Sequence, residues 1–411
     1  MEYGLIGEKL GHSFSKEIHA KIGNYDYTLC EIERDNLERF VMERKFCGIN
    51  VTIPYKEQIL PYLDELDDSV KKIGAVNTVV NKDGKLYGYN TDYFGAKSCL
   101  IHNGIDVKNK KVLILGTGGT SKTLYSVVTD MGAKEILIVS RKKREGVICY
   151  EDALSIHNDA EIIINTTPVG MYPNTDKEPI DVNKFPYLTG VMDVIYNPIS
   201  TNFIIKAKER KIKASGGLYM LVAQAVKAAE LFGKTDYEDG SLCKIYEEIY
   251  KEKRNIIFIG MPTCGKSTIG KRISKLTDKV FYDTDAEIEF SMNKTPAELI
   301  KTLGEKEFRK IEKETVKKIS EKTKCVISTG GGVVLDEENI KALKRNGIVI
   351  FLDRPLEKLI PSNDRPLSTN KKSLEKLYFD RYEKYVSSAD VIVKADGEIE
   401  EVVEKIVEIL K

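Results

Sequence analysis

The stretch NIIFIGMPTCGKST, residues 255–268, combines an apolar run, a glycine-rich loop and the start of a helix-like segment. Its second part, residues 260–268, fits the pattern G-x-x-x-x-G-K-[ST] in the strand-to-helix context that this motif requires. In such a loop the backbone amides surround phosphate groups, the lysine reaches the terminal phosphates and the serine ligates Mg²⁺. We therefore expect a nucleoside triphosphate with Mg²⁺ at Gly260, Gly265, Lys266, Ser267 and Thr268.

A second glycine-rich loop lies earlier, in LILGTGGTSKTLYS at residues 113–126. Gly116, Gly118 and Gly119 permit a tight turn and let backbone amides reach a pyrophosphate at a helix N-terminus. This loop is the weaker of the two signals, because Ser121 stands where a dinucleotide-binding fingerprint has its third glycine.

The strand after this loop ends at Ser140 and continues into the basic run RKKR, residues 141–144. A binder of NAD usually has an acidic residue here for the ribose 2′-hydroxyl, whereas a cationic cluster suits a 2′-phosphate. Ser140, Arg141 and Lys142 therefore favour NADP over NAD. The alternative is a solvated basic turn.

Short apolar runs alternate with helix-sized segments over most of the chain. This alternation predicts an α/β fold with doubly wound parallel sheets. The series breaks at a polar segment, residues 242–254, and then restarts, so we place a domain junction near residue 252. The runs predicted as buried parallel strands are KVLILG (111–116), EILIVS (135–140), EIIIN (161–165), VMDVI (191–195), NIIFIG (255–260), KVFYD (279–283), CVIST (325–329) and IVIFL (348–352).

Composition limits the classes of partner. The 411 residues suffice for two or three domains, and 64 Lys and Arg against 63 Asp and Glu give no basic bias toward nucleic acid. No apolar run approaches the length of a membrane span, and the first ten residues do not resemble a signal peptide. The seven cysteines are scattered without a C-x-x-C pair, which favours reduced thiols and a cytoplasmic location. The oligomeric state stays open.

Residues 1–100 carry polar groups that a purely structural domain does not need. Lys56 follows the predicted strand in GINVTIPYKE (48–57), and Asp92 lies in GYNTDYFG (88–95). Together they make an acid/base pair, since an ammonium can supply a proton as hydride arrives and a carboxylate can orient that ammonium. The simpler interpretations are a surface lysine and a helix cap.

Eight ordered motifs within residues 3–235 resemble those of shikimate dehydrogenases: HSFS, NVTIPYKE, GAVNTVV, GYNTDYFG, LGTGGTS, NTTPVGM, DVIYNPIST and GGLYMLVAQA. The resemblance implies NADPH-dependent reduction of 3-dehydroshikimate to shikimate, with Lys56 and Asp92 as the catalytic pair. It also implies a substrate domain (1–101 and 216–252) into which a Rossmann NADP domain (102–215) is inserted. The substrate-binding residues that it implies are Ser13, Ser15, Asn50, Thr52, Asn77, Asp92 and Gln224.

Residues after the phosphate loop indicate which kind of molecule accepts the phosphoryl group. Asp283 and Asp285 end the second predicted strand of this half, with a spacing that can direct one carboxylate to the metal and one to an acceptor hydroxyl. Arg309 lies in a predicted helix and Arg381 lies further along the chain, and two arginines in one pocket suit a substrate with a carboxylate. Arg365 lies in the polar segment NDRPLST, a natural lid. Each arginine alone is more simply a surface residue.

The motifs FYDTDAEIE, GEKEFRKIE, STGGGVV, RPL and RYEKYV resemble shikimate kinase over about residues 254–411. The resemblance implies a P-loop kinase domain (253–411) that uses ATP and Mg²⁺ to form shikimate 3-phosphate. It assigns Asp285 to the attacking hydroxyl, Asp283 to Mg²⁺ and Arg365 to the phosphates. The shikimate-binding residues that it implies are Asp285, Arg309, Gly331 and Arg381.

Two other hypotheses belong beside the fused enzyme. The second half could bind shikimate and ATP as a sensor without turnover, but Lys266, Ser267 and Asp283 are metal and phosphate residues that a sensor does not need. The first half could be a quinate/shikimate dehydrogenase that uses NAD, but the basic run at residues 141–144 weighs against it.

Overall fold

The computed structural model describes residues 1–11, 13–236, 240–361 and 370–410. The chain divides into two compact units, Met1–Ile249 and Tyr250–Lys411. None of the described helices combines the length and the apolar character needed to cross a membrane.

The first unit begins with a six-stranded mixed sheet in the order β2-β1-β3-β5-β6-β4. Its strands are β1 (Tyr3–Gly7), β2 (Tyr27–Glu31), β3 (Gly48–Val51), β4 (Glu65–Leu66), β5 (Thr78–Lys82) and β6 (Lys85–Tyr89). Its helices are α1 (Ser15–Ile22), α2 (Leu37–Met42), α3 (Tyr55–Gln58), α4 (Asp68–Ile73) and α5 (Thr91–His102). Strand β3 runs antiparallel to β5 and pairs Asn50 with Thr78. This register brings two polar motifs, which lie far apart in sequence, onto neighbouring strands.

The second sheet of this unit is entirely parallel, in the order β12-β11-β10-β7-β8-β9. Its strands are β7 (Lys111–Leu115), β8 (Glu135–Ser140), β9 (Val147–Cys149), β10 (Ile162–Asn165), β11 (Gly190–Asp193) and β12 (Lys213–Ser215). Its helices are α6 (Gly119–Asp130), α7 (Tyr150–Ser155) and α8 (Asn202–Glu209). The strand order reverses at β7, between β10 and β8, and ligands of such sheets bind in the crevice at that point. The predicted α/β fold is therefore confirmed here.

Helices α9 (Leu218–Leu231) and α10 (Ser241–Lys253) end the first unit, and α10 continues into the second. Helix α9 packs closely on α5, because a Cβ added at Gly95 would lie 2.6 Å from the carbonyl oxygen of Met220. A larger residue at position 95 would separate the two helices. This packing returns α9 to the first sheet and carries Gln224 with it.

The second unit contains a five-stranded parallel sheet in the order β14-β15-β13-β16-β17. Its strands are β13 (Asn255–Ile259), β14 (Val280–Asp283), β15 (Cys325–Ser328), β16 (Gly347–Asp353) and β17 (Val391–Lys394). Its helices are α11 (Lys266–Thr277), α12 (Thr284–Met292), α13 (Pro296–Leu303), α14 (Glu305–Ser320), α15 (Glu337–Asn346), α16 (Lys371–Ser388) and α17 (Ile399–Leu410).

All the predicted parallel strands form, but two are less buried than their apolar sequences suggest. In β8 only Val139 is buried, and Val280 in β14 is 57% exposed. Strand β14 lies at the edge of its sheet, so one side has no neighbouring strand. The central strand β13 is fully buried, as the apolar run NIIFI predicts.

Candidate active sites

The lysine and aspartate predicted as a pair in the first unit are in contact. Lys56 lies in the short helix α3 just beyond β3, and Asp92 lies in the first turn of α5. Lys56 Nζ is 2.5 Å from Asp92 Oδ2, and the two side chains are 16% and 10% exposed. The fold therefore orients this ion pair and leaves only a small part of each side chain exposed.

Polar side chains from β2, β3, α5 and α9, together with Asn77 just before β5, form a connected network beside this pair, in which Asn50 Nδ2 donates to the Asn77 carbonyl at 3.3 Å. Asn77 Nδ2 donates to Thr91 Oγ1 at 3.0 Å and to Gln224 Oε1 at 3.4 Å. Asn50 accepts a hydrogen bond from the Tyr27 hydroxyl at 2.7 Å. Asn50, Asn77 and Gln224 are all buried. The sequence-predicted amides are thus brought together and held in fixed orientations.

The two serines predicted to bind substrate lie at the start of α1. Ser13 Oγ donates to Ser15 Oγ at 3.1 Å and accepts from the Ser15 backbone N–H at 3.2 Å. Tyr196, from the loop after β11, hydrogen-bonds Ser13, and its ring packs 5.3 Å from that of Phe14. Burial raises the pKa of Tyr196. Tyr196 lies in the motif DVIYNPIST, but the sequence alone does not predict it as part of the site.

Thr52 lies one residue beyond β3, where its backbone N–H bonds the carbonyl of Ile6. It is half-buried and lies between Asn50 and Lys56 in sequence. This position is compatible with the predicted substrate contact.

The glycine loop of the first unit has the backbone geometry that a pyrophosphate site needs. Gly116 has a φ of +115°, and a Cβ there would lie 2.6 Å from Thr166 Oγ1. Gly118 precedes the first residue of α6, so the helix N-terminus opens onto the loop. Ser121 is buried and donates its hydroxyl to the Gly116 carbonyl at 2.8 Å. The serine at the third glycine position therefore braces the turn.

This loop lies next to the lysine of the acid/base pair. A Cβ added at Gly119 would lie 4.0 Å from Lys56 Cβ and 3.8 Å from Glu57 Oε1. A dinucleotide on the N-terminus of α6 would therefore be close to Lys56. The exposed residues before α6 and the positive φ of Gly116 fit such a group.

The basic run follows β8, the strand beside the glycine loop. Ser140 ends the strand, and Arg141 and Lys142 are exposed. Lys143 is paired with Asp152 at 2.9 Å. Within the described ranges, no ion pair engages Arg141 or Lys142, so both cations are available to an anionic group at this end of the sheet.

Asp193, at the end of β11, is a buried carboxyl that sequence reasoning did not single out. It accepts hydrogen bonds from the Ile195 backbone N–H at 3.1 Å, Asn165 Nδ2 at 3.0 Å and Thr201 Oγ1 at 2.7 Å. Burial raises its pKa to about 7 despite these three donors. The carboxyl fixes the start of the loop that carries Tyr196.

We expect Asp193→Asn to flatten the pH dependence of stability of the first unit. The pKa of this carboxyl rises from 3.8 to about 7 on folding, so the folded state binds more protons between those values. Wild-type stability therefore falls as pH rises through that window, by up to about 4 kcal/mol at about 1.4 kcal/mol per pKa unit. Urea unfolding of the full chain at pH 5 and pH 8 measures the slope. Asp26→Asn, at an exposed site, is the control, and an unchanged slope in Asp193→Asn would contradict the assignment.

The phosphate loop of the second unit is held in shape by its own lysine. Lys266 is buried, and its Nζ donates to the carbonyls of Gly260 and Met261, both at 2.9 Å. Gly265 has a φ of +97° and immediately precedes α11. A Cβ at Gly260 would lie 2.9 Å from Leu352 O, so only glycine fits there. Thr268 is exposed in the first turn of α11.

The proposed metal ligands of this unit are in contact. Ser267 Oγ donates to Asp283 Oδ2 at 2.6 Å, and Asp283 Oδ1 accepts the backbone N–H of Asp285 at 3.0 Å. Among the described residues, no three or more His, Cys, Asp and Glu side chains are grouped so as to hold a metal. A hydroxyl and one carboxylate fit Mg²⁺ that is completed by water and nucleotide phosphates.

The residues predicted to bind the phosphoryl acceptor lie around the glycine run after β15. Arg381 is buried and its Nη1 donates to the Gly331 carbonyl at 2.8 Å. A Cβ at Gly332 would lie 2.0 Å from Arg309 Nη1, and one at Gly330 would lie 2.6 Å from Asp285 Oδ1. The structure thus brings both predicted arginines and the aspartate to one place. Arg365 lies outside the described residues.

Glu312 completes this cluster and was missed by sequence reasoning. Its Oε2 is 2.9 Å from Arg309 Nη1, and its side chain is 2% exposed. Burial raises its pKa, while the Arg309 charge opposes that rise. Among the described residues, Glu312 Oε1 and Arg309 Nε are buried without a hydrogen-bond partner. The spacing of three residues within GEKEFRKIE was the available signal.

These two units define a class of protein: a dinucleotide-dependent oxidoreductase joined to a P-loop phosphotransferase. Comparison with family models supports that class. Residues 5–79 match the shikimate dehydrogenase substrate binding domain, and residues 262–411 match shikimate kinase.

Individual relatives cover the first unit. The NADP(+) shikimate dehydrogenase of Clostridium beijerinckii is 40% identical over 270 residues, which are 61% of this chain and 99% of the relative. Shikimate dehydrogenase 1 of Peptoclostridium difficile is a solved structure with a TM-score of 0.56 and 39% identity over 61% of this chain and 98% of its own. The shikimate 5-dehydrogenase of Thermus thermophilus, solved with NADP(H) and shikimate, has a TM-score of 0.55 and 27% identity. The match covers 60% of this chain and 99% of that one.

The chain belongs to the shikimate dehydrogenase family and carries a shikimate kinase domain in its second unit. Both enzyme assignments made from the sequence are confirmed, as are the NADP, ATP and Mg²⁺ requirements.

Proposed function

We propose that this chain is a bifunctional enzyme that reduces 3-dehydroshikimate to shikimate with NADPH and then phosphorylates shikimate to shikimate 3-phosphate with ATP and Mg²⁺. Two complementary sites in one chain support this proposal. One has an acid/base pair beside a dinucleotide loop, and the other has two arginines and an aspartate beside a phosphate loop. The hydroxyl formed in the first reaction is the acceptor in the second.

In the first unit, Lys56 is the general acid and Asp92 holds it. NADPH supplies the hydride when bound on the Gly116–Ser121 loop. The Lys56 ammonium polarises the ketone and gives its proton to the oxygen that becomes the hydroxyl. Asp92 keeps Lys56 oriented through the 2.5 Å contact. The substrate is held by Ser13, Ser15, Asn50, Thr52, Asn77 and Gln224.

In the second unit, ATP with Mg²⁺ supplies the phosphoryl group when bound on the Gly260–Thr268 loop. Lys266 would bind phosphate oxygens in place of the loop carbonyls, and Ser267 with Asp283 would hold the metal. Asp285 orients or deprotonates the attacking hydroxyl. Arg309 and Arg381 bind the substrate carboxylate, Gly331 lies against the substrate, and Arg365 closes over the phosphates.

We propose three domains with these bounds: 1–101 with 216–252 for substrate, 102–215 for NADP and 253–411 for the kinase. The separate sheets β1–β6 and β7–β12 support the first division, and the packing of α9 on α5 supports the return of the chain to the first domain. We place the enzyme in the cytoplasm, on its seven unpaired cysteines and its need for NADPH and ATP. The small-molecule substrates are its proposed partners.

We expect replacement of both Arg141 and Lys142 by alanine to reduce the preference for NADPH. Their exposed cations at the end of β8 suit a 2′-phosphate, and charge-assisted bonds to such a group contribute about 1.5–3 kcal/mol each. The KM for NADPH should therefore rise by about tenfold or more, whereas the KM for NADH should hardly change. Initial rates over a concentration series of each cofactor give the two KM values.

The paired residue Lys143 provides the control for that experiment. Its ammonium is already engaged by Asp152, so Lys143→Ala should leave the preference intact. A wild-type preference for NADH, or equal losses with both cofactors in the double variant, would contradict the role of this basic run.

A further inference from the structure

The first unit contains a cavity that neither reaction uses. It measures about 360 Å³ and lies between α4, α6 and β8, and we refer to it as the α4–α6 cavity. Its wall includes Ile73, Tyr125 and Ile138. The volume and the apolar wall match those of small-molecule sites. Tyr125 is 44% exposed, so the cavity opens to solvent.

Two lysines lie at opposite ends of this cavity. Lys122 is in the second turn of α6, and Lys72 reaches the far end of that helix, where its Nζ is 2.6 Å from Asp130 Oδ1. Lys122 Nζ is 2.9 Å from Glu57 Oε1. Residues 122 and 130 are separated by about 12 Å along the helix, at 1.5 Å per residue. All four side chains are at least 37% exposed, so their pairs exchange readily with another anion.

The third feature is a buried hydroxyl. Ser126 also lines the cavity, is 4% exposed, and its Oγ has no hydrogen-bond partner among the described residues. A helical serine usually bonds a carbonyl of the preceding turn or water. The Ser126 Oγ has almost no accessible surface, so it lies behind the wall of the cavity and only the carbon atoms of this serine contribute to the lining.

We propose that the α4–α6 cavity is a binding site for a small aromatic carboxylate. The ring lies against Ile73, Tyr125 and Ile138, and the carboxylate lies near Lys72 or Lys122. The apolar wall disfavours the polyhydroxylated ring of shikimate. The site is distinct from the substrate network, which lies on β3, β5 and α9.

The position of the cavity links it to the reductase. Glu57, which pairs with Lys122, follows Lys56 in the chain and lies near the glycine loop. A ligand carboxylate that pairs with Lys122 breaks the Lys122–Glu57 ion pair. That ion pair joins α3, which carries Lys56, to α6, whose N-terminus is the proposed cofactor site. Occupancy of the cavity is therefore an input to the first reaction.

Calorimetric titration of the full chain with 3-phenylpropanoate tests the proposal. We expect saturable binding with a Kd of about 1 mM or below, and no binding of 3-phenylpropan-1-ol, which lacks the charge, or of propanoate, which lacks the ring. Saturating shikimate should leave the Kd unchanged. Binding that shikimate abolishes would place the probe in the active site and overturn the proposal, as would the absence of saturable heat.

Variants locate the binding. Ser126→Leu fills the cavity, and Lys72→Gln with Lys122→Gln removes its cations, so each should weaken binding at least about tenfold. Ser126→Ala, which keeps the helix packing and removes only a hydroxyl closed off from the cavity, should leave both the Kd and the melting temperature unchanged. Lys134→Gln, at an exposed lysine outside the cavity, is the matched control. An unchanged Kd in folded Ser126→Leu would refute the site.

Discussion

Lys56→Ala should abolish reduction of 3-dehydroshikimate while the kinase reaction continues at its wild-type rate. Loss of a positioned general acid costs about 10²–10⁴-fold in rate, and Lys56 also places positive charge next to the carbonyl. The lysine contacts Asp92 and lies beside the cofactor loop, so the loss should fall mainly on kcat. NADPH oxidation with 3-dehydroshikimate and ADP release with shikimate measure the two activities of the same preparation.

The fold should survive this substitution. Asp92 lies in the first turn of α5, where the helix N-terminus stabilises a carboxylate. Lys206→Ala is the matched control, because Lys206 is also ion-paired, at 2.8 Å to Glu178, but lies in α8. Reductase activity within about tenfold of wild type in Lys56→Ala would remove the lysine from the mechanism, and loss of both activities in a folded protein would refute the independence of the two sites.

Arg309→Ala should have the opposite pattern and eliminate efficient phosphorylation of shikimate. Truncating one member of a buried hydrogen-bonded charge pair costs about 2–5 kcal/mol, so kcat/KM for shikimate should fall by about 10²-fold or more. The KM for ATP should change little, because Arg309 lies at the acceptor side near Gly332. Reduction of 3-dehydroshikimate should continue normally.

Glu312 must be considered with this substitution, because its buried carboxylate pairs with Arg309. A second substitution at Glu312 separates the effect on stability from the effect on shikimate binding. Without Arg309 the buried Glu312 carboxylate loses its partner, which costs about 3–5 kcal/mol of stability. Arg309→Ala with Glu312→Gln removes that charge, so the double variant should regain stability but not shikimate binding. If the double variant regained activity, Arg309 would be structural only. Arg272→Ala, at an exposed pair with Glu400, should be neutral.

The fold could be predicted from the sequence because buried parallel strands leave continuous apolar runs. The run NIIFI became the fully buried strand β13, and the two glycine loops directly follow β7 and β13. The exposure of Val280 could not be predicted, since strand order decides which strand is at the edge and apolar content does not report it.

The candidate sites could be predicted from the sequence where a motif fixes the backbone conformation. They could also be predicted where a motif contains residue types that are seldom needed together for structure alone. Lys56 and Asp92 were identified as a pair, and they are in contact. Glu312 and Tyr196 were not identified, because their roles depend on contacts that form only in three dimensions. The first lies under Arg309 on the same helix, and the second reaches Ser13 from the loop after β11.

A single reaction with the full chain, 3-dehydroshikimate, NADPH, ATP and Mg²⁺ shows whether the two activities follow one another, when NADPH loss and ADP release are followed together. We predict that ADP release begins only after NADPH oxidation has started, that it stops when NADPH is omitted, and that shikimate 3-phosphate accumulates. NADPH oxidation without ADP release and without a phosphorylated product would contradict the account and identify the second unit as a binding module.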